Sequence, residues 1–244
     1  MTRSGALEDS KTVSAMFDRI VPRYDTMNRL MTGGRDVAWR RLAATVAVSD
    51  GCGYALDVAT GTGDLALDLL DAGANSVAGV DFSPRMIEAA RRKATGRSEA
   101  TFVVGDAMSL PFDDEAFDAC TVSFGLRNME DFQAAISEMT RVLKPGGRWV
   151  CLELTPYRRP VLGRLFGWYF SRIVPLVGGI LSGERDAYRY LPASVDGFPD
   201  ARSLGAMMVE AGQVKVRWKL LGGGTVALHA GIKGDHSTST SSTA

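Results

Sequence analysis

From residue 55 onward the chain alternates between two hydrophobic patterns. Short strand-like runs rich in apolar residues recur at 55–59, 76–80, 101–104, 117–123 and 148–154. Between them, at 65–71, 84–94 and 131–143, apolar residues return at helical spacing. Uninterrupted apolar strands are buried on both faces, and strands that alternate with helices form a parallel sheet with helices on each side. The crossovers are expected to be right-handed. Lys144-Pro145-Gly146-Gly147 is expected to stop the last of these helices and turn the chain into the fifth strand.

The two ends carry other patterns. Upstream, residues 10–48 read as helices: Val13, Met16, Phe17 and Ile20 keep helical spacing until Pro22 interrupts. Met27, Leu30 and Met31 belong to a second short piece, and Gly33-Gly34 separates it from a third around Trp39 and Leu42. Downstream, residues 156–192 are rich in aromatic and basic side chains, and Pro160 is suited to open a helix. Residues 203–211 form one more helical stretch, ended by Gly212. Val214 to Leu220 and Thr225 to Ala230 then alternate like two strands joined through Gly222-Gly223-Gly224. The expected organisation is a helical cap at 1–48, an α/β domain at 49–233 with an insertion at 156–192, and a disordered Ser/Thr-rich tail at 234–244.

Composition narrows the class only modestly. The 244 residues are 45% hydrophobic and 23% charged, enough for one α/β domain with a full core. Formal net charge is zero, which argues against nucleic acid as the main partner. Cys52, Cys120 and Cys151 lack metal-type spacing, and the last two lie in apolar runs, as buried thiols do in a reducing, cytoplasmic protein. No secretory signal is visible, and no apolar stretch is long enough to span a bilayer. His229 reads as a satisfied histidine within a strand; with His236 in the tail, no metal site can be argued.

The chemistry concentrates at residues 54–64, Tyr-Ala-Leu-Asp-Val-Ala-Thr-Gly-Thr-Gly-Asp. A strand enters a turn holding Gly61 and Gly63, and a helix follows, the layout that brings a nucleoside cofactor against backbone N–H groups. Asp81 ends the next strand, where a carboxylate accepts both hydroxyls of a ribose. Asp57 and Asp64 crowd the glycine turn, favouring a cationic sulfonium over a diphosphate. Asp106-Ala107, after the third strand, suits an adenine ring. No Tyr-x-x-x-Lys pair or similar hydride-transfer apparatus is found, although the fingerprint alone leaves an NAD-dependent oxidoreductase open.

These residues resemble the class I S-adenosylmethionine-dependent methyltransferases. The resemblance implies a doubly wound, seven-stranded, mostly parallel sheet whose C-terminal strand pair is antiparallel. Further segments narrow it. Tyr24-Asp25-Thr26-Met27-Asn28-Arg29-Leu30 through Trp39, Ser123-Phe124-Gly125-Leu126-Arg127-Asn128, and Arg141-Val142-Leu143-Lys144-Pro145-Gly146-Gly147 through Glu153 are similar to signatures of the ubiquinone/menaquinone biosynthesis C-methyltransferases. Thr32 stands where many members have serine, and Asp36 where many have histidine. The resemblance implies cofactor contacts at Thr60, Asp81, Asp106-Ala107 and Ser123, with the glycine turn of Gly61 and Gly63 beneath them.

The implied reaction methylates a ring carbon of a prenylated quinol. Such a carbon becomes nucleophilic when a ring hydroxyl ionises, and it then attacks the methyl in line with the departing sulfur. Near-attack positioning contributes roughly 7–11 kcal/mol at best. The site needs apolar walls, a route for a proton and donors for the oxyanion. Arg127 and Asn128 are candidates for steadying that oxygen, and Tyr24 with Asp25 for closing the site. The ending Gly223 to Ala230 resembles menaquinone-type members, making demethylmenaquinol the expected acceptor; the ubiquinone precursor and other phenols or lipids are the alternatives. The aromatic and basic stretch at 157–182 is the candidate lid over the isoprenoid tail and the candidate contact with the inner membrane surface.

Overall fold

A computed structural model describes Val21 and residues 24–156 and 194–235. Among the described residues two helices come first, α1 (Tyr24–Thr32) and α2 (Arg35–Ala47). They are split where expected, at Gly33 and Gly34, whose φ angles of 61° and 76° favour glycine. The alternating region follows as β1 (Tyr54–Val58), α3 (Asp64–Asp71), β2 (Ser76–Asp81), α4 (Pro84–Lys93), β3 (Ala100–Val104), β4 (Phe117–Ser123), α5 (Phe132–Arg141) and β5 (Leu143–Leu154). The end consists of α6 (Ala201–Glu210), β6 (Gln213–Leu221) and β7 (Val226–Lys233).

All seven strands form one sheet in the order β3-β2-β1-β4-β5-β7-β6. The first five run parallel, whereas β7 is antiparallel to both β5 and β6. Residues alternate between two cores along each inner strand. Ala55, Val77, Ala119, Val150 and Leu152 face the helices α2, α3 and α4. Leu56, Ala78, Cys120, Trp149 and Cys151 face α5 and α6. This double burial explains why the inner strands read as largely apolar runs. Cys120 and Cys151 are free thiols that burial pushes well above the ordinary cysteine range, so both behave as small core residues.

Two boundaries differ from the expectation. Helix α5 ends at Arg141, and Lys144-Pro145-Gly146-Gly147 lies inside β5 instead of before it. Leu143 pairs with Phe117 and Arg148 pairs with Ala119, so the intervening residues bulge out of the ladder. A bulge tolerates Pro145, which has no N–H to give, and Gly146 at a φ of 77°. The candidate lid at 157–182 and the tail from 236 lie outside the described residues.

Candidate active site

The order of strands reverses between β1 and β4, and a crevice opens there beyond their carboxyl ends, as the switch-point rule requires. It has two parts. The larger is a cavity of about 260 Å³ whose walls include Phe82, Met86, Met108 and Met129, with Asp81, Asp106 and Glu130 as carboxylates. The smaller, about 40 Å³, is lined by Asp25, Asp57 and Asp64, with Arg40, Asn28, Thr60 and Ser123. Tyr24 lines both. One compartment is therefore an apolar slot for a flat ring, and the other is a small polar recess dominated by acids.

Strained backbone shapes the junction. Ala59, after β1, and Phe124, after β4, adopt φ angles of 53° and 54°, which cost a non-glycine residue on the order of 1–3 kcal/mol each. Both line the two compartments. Nothing in the local sequence marks either one. The following residue, Gly125, leaves no room between the strand ends, since a Cβ there would lie 2.5 Å from that of Ala59.

The expected cofactor residues fall on three levels. Gly61, Asp81, Asp106 and Ala107 line the larger cavity. Asp81 accepts hydrogen bonds from Gly61 N at 2.9 Å and Ser83 N at 3.0 Å, so its carboxylate is fixed at the rim of the cavity. Asp106 is held similarly by Met108 N at 2.9 Å. Thr60 and Ser123 line the smaller recess. Gly63 lines neither: a Cβ there would meet Ala90 and Phe102 at 3.1 Å, so this glycine serves the packing of α3 against α4 and β3.

The three candidates for chemistry separate as well. Burial raises the Tyr24 hydroxyl above its ordinary value, against Asn28 and Arg127, which act to lower it, so Tyr24 is a donor at neutral pH. Asn128 lines the larger cavity, and its Oδ1 is buried without a hydrogen bond among the described residues. Arg127 lines neither compartment. Its Nη1 donates to Glu153 Oε1 at 2.7 Å and to the carbonyl of Phe124, and both side chains are buried.

The acids at the glycine turn are less uniform than their spacing suggests. Burial pushes the Asp57 carboxyl up to about 7, with Asp81 adding to the shift, although hydrogen bonds from Thr60 Oγ1 at 2.6 Å and Thr121 Oγ1 at 2.9 Å favour its charge. Asp64 is already paired, with Arg40 at 2.9 Å and Lys93 at 2.5 Å. Arg40 also holds Asp36 at 2.6 Å, and Thr32 Oγ1 donates to Asp36 at 2.8 Å. Thr32 and Asp36, both departures from the family signature, are therefore partners of one another. His229 is buried beneath Trp218 with Nε2 2.8 Å from the Ala201 carbonyl, and burial lowers its pKa, so it is a neutral packing residue.

S-adenosylmethionine fits this crevice. Ser123 Oγ is buried on the recess and, like Asn128 Oδ1, has no hydrogen bond among the described residues. Two residues lining the crevice thus carry a buried polar atom without a partner among the described residues, a cost that a ligand donating to them relieves.

Comparison with known proteins agrees. A methyltransferase from Thermotoga maritima, described as S-adenosylmethionine-dependent and a possible histamine N-methyltransferase, shares the fold with a TM-score of 0.60 at 22% identity; the match covers 90% of this chain and 99% of that one. The [4+2]-cyclase SpnF shares it too, with a TM-score of 0.62 at 23% identity over 95% and 99% of the two chains, so this fold by itself does not decide the reaction. Sequence is more specific. A demethylmenaquinone methyltransferase of Thermus thermophilus is 49% identical over 88% of this chain and 99% of its own length. The ubiquinone/menaquinone biosynthesis C-methyltransferase UbiE of Geobacter sp. (strain M21) is 42% identical over 93% and 98%. The profile of the ubiE/COQ5 methyltransferase family matches residues 5–233, and the chain belongs to that family.

Proposed function

We propose that this protein transfers the methyl group of S-adenosylmethionine to a ring carbon of a prenylated quinol, with demethylmenaquinol as the acceptor. The observation that carries the reading is the two-part crevice: an apolar slot with Asp81 and Asp106 at its polar edges, continuous at Tyr24 with an acid-lined recess. Adenosine suits the first compartment, and the sulfonium and the ammonium group of the zwitterionic methionine end suit the second. Relatives named for demethylmenaquinone methylation support the acceptor.

The cofactor supplies an electrophilic methyl on a sulfonium. The protein does the rest. Asp81 receives the ribose hydroxyls on an oxygen pair already oriented by Gly61 and Ser83. Asp106 takes the exocyclic amino hydrogens of adenine, and Ala107 leaves room for the ring. Gly61 lets the backbone approach, and Thr60 and Ser123 border the amino-acid end. Tyr24, protonated at neutral pH, and Asn128 are the groups on the crevice able to steady an ionised ring oxygen. Arg127, locked to Glu153, is in this reading a positioning residue that holds the Phe124 carbonyl and with it the loop carrying Asn128.

Peripheral contact with the inner membrane surface through 157–182 belongs to the same proposal. A lipid-tailed acceptor requires access to the bilayer, and no helix among the described residues is long and apolar enough to cross one. The test of the function uses S-adenosylmethionine labelled in the methyl group together with reduced demethylmenaquinone. Label on the ring carbon is expected. A labelled oxygen, or unlabelled quinol with intact S-adenosylhomocysteine binding, overturns the acceptor. Quenching of the tryptophans by NADH and not by S-adenosylhomocysteine overturns the cofactor.

A further inference from the structure

Three helix ends meet beside the polar recess, each carrying the charge its end favours. Asp25 is in the first turn of α1, and Asp64 opens α3, where acids interact well with the N-terminal dipole. Lys93 closes α4, where a cation does. Lys93 Nζ donates to Asp25 Oδ2 at 2.6 Å, to Thr62 Oγ1 at 2.8 Å and to Asp64 Oδ1 at 2.5 Å. An ammonium has three protons, and all three are used. Thr62 completes the ring by donating its own hydrogen to Asp25 Oδ1 at 2.7 Å.

The ring joins pieces far apart in the chain. Asp25 and Lys93 are separated by 68 residues, and Thr62 lies in the glycine turn between them. Asp25 is next to Tyr24, which lines both compartments, and Gly61 has Tyr24 Cε1 3.6 Å from the place of its absent Cβ. What fixes Asp25 therefore fixes Tyr24 over the cofactor crevice. Thr62 is buried, but the three charged members are partly exposed, Lys93 at 30%, Asp25 at 33% and Asp64 at 24%, so the ion pairs can part without unfolding the sheet beneath them.

We propose that Lys93 is a positioning residue for methyl transfer: it latches α1 across the cofactor crevice, releasing α1 when the cofactor exchanges and holding Tyr24 in place during the reaction. The inference rests on the cofactor reading above, but the latch itself is measurable without any ligand. Lys93 has no place in the family signatures and no contact with either compartment among the residues lining them.

The test compares the full chain with Lys93→Met and Lys93→Arg. Amide hydrogen exchange across 24–32 is expected to speed up about fivefold in Lys93→Met, the size of effect that partly exposed coupled ion pairs give, while exchange in β1 and β4 stays as in the wild type. Binding of S-adenosylhomocysteine is expected to weaken several-fold in Lys93→Met, and the apparent KM for S-adenosylmethionine to rise more than kcat falls. Lys93→Arg restores most of each. Unchanged exchange at 24–32, equal acceleration in the strands, or an arginine variant as impaired as the methionine one overturns the latch. If the wild type binds no S-adenosyl compound, the functional reading fails and the exchange result still decides whether the latch exists.

Discussion

Arg127 and Glu153 show how a polar residue near a crevice can work through another. Both are buried, Glu153 Oε1 also accepts from Leu154 N at 2.7 Å, and Arg127 N reaches Glu153 Oε2 at 3.3 Å. Removing one partner strands a buried charge, which typically costs about 3–5 kcal/mol. Arg127→Met is therefore expected to lower the denaturant midpoint sharply, and Glu153→Gln added to it to recover a good part. Turnover of the double variant separates the roles. Recovery alongside stability marks Arg127 as a positioning residue, whereas a stable double variant that binds cofactor and does not turn over marks it as a contact of the acceptor. A wild-type midpoint in Arg127→Met would mean the pair carries no structural weight.

Among the elements, the ends of β1 and β4 matter most, because Ala59 and Phe124 line the crevice and Gly125 is wedged between them. Gly125 has φ −111° and ψ −33°, which alanine adopts freely, so Gly125→Ala tests space alone. Relieving a 2.5 Å approach forces the strand ends apart, at about 1–3 kcal/mol for overpacking of this kind. Titration calorimetry is expected to show S-adenosylhomocysteine binding weakened several-fold; unchanged affinity would mean the junction yields elsewhere.

The same elements show what a sequence displays and what it conceals. Strands β1 to β4 lie within a residue of the expected runs, because a segment buried on both faces is mostly apolar. The start of β5 was hidden by Pro145 and Gly146, which read as a turn and act as a bulge. Asp118 on the facing strand secures that bulge: its carboxylate binds Lys144 at 2.6 Å and accepts from Tyr54 N at 2.8 Å. Residues at strand ends, such as Gly61, Asp81 and Asp106, were legible because the chain itself places them at one rim. Arg40, Lys93 and the Arg127–Glu153 pair were not, since their partners come together only through tertiary packing.

At the scale of the whole molecule, stability responds to pH through opposing groups. Asp25 is buried enough to raise its pKa, but hydrogen bonds from Lys93 and Thr62 outweigh that and hold it below the ordinary carboxylate range. Its contribution is present above the unfolded value and is lost as pH falls. Asp57 has the opposite sign. Its carboxyl is raised from 3.8 to about 7 in the fold, so the folded state binds the extra proton, and stability falls as pH rises through that interval and then levels off. Asp57→Asn is expected to gain stability relative to the wild type between pH 4 and pH 7, by up to a few kcal/mol, with a constant difference above pH 7. Unfolding curves of the ligand-free proteins at several pH values measure this; a difference independent of pH would place the Asp57 proton equilibrium near its unfolded value.

The order of the sheet also constrains how the molecule is made. Strand β7 is synthesised last of the seven, yet it lies between β5 and β6. Until it arrives, β6 has no neighbour to pair with, and β5 presents a bare edge beside the buried side chains of β4. A nascent chain on the ribosome can build the parallel half, β1 to β5, early but must carry an open seam until translation passes residue 233. Closing that seam is a long-range event, and the growing chain is most vulnerable to wrong partners while it waits.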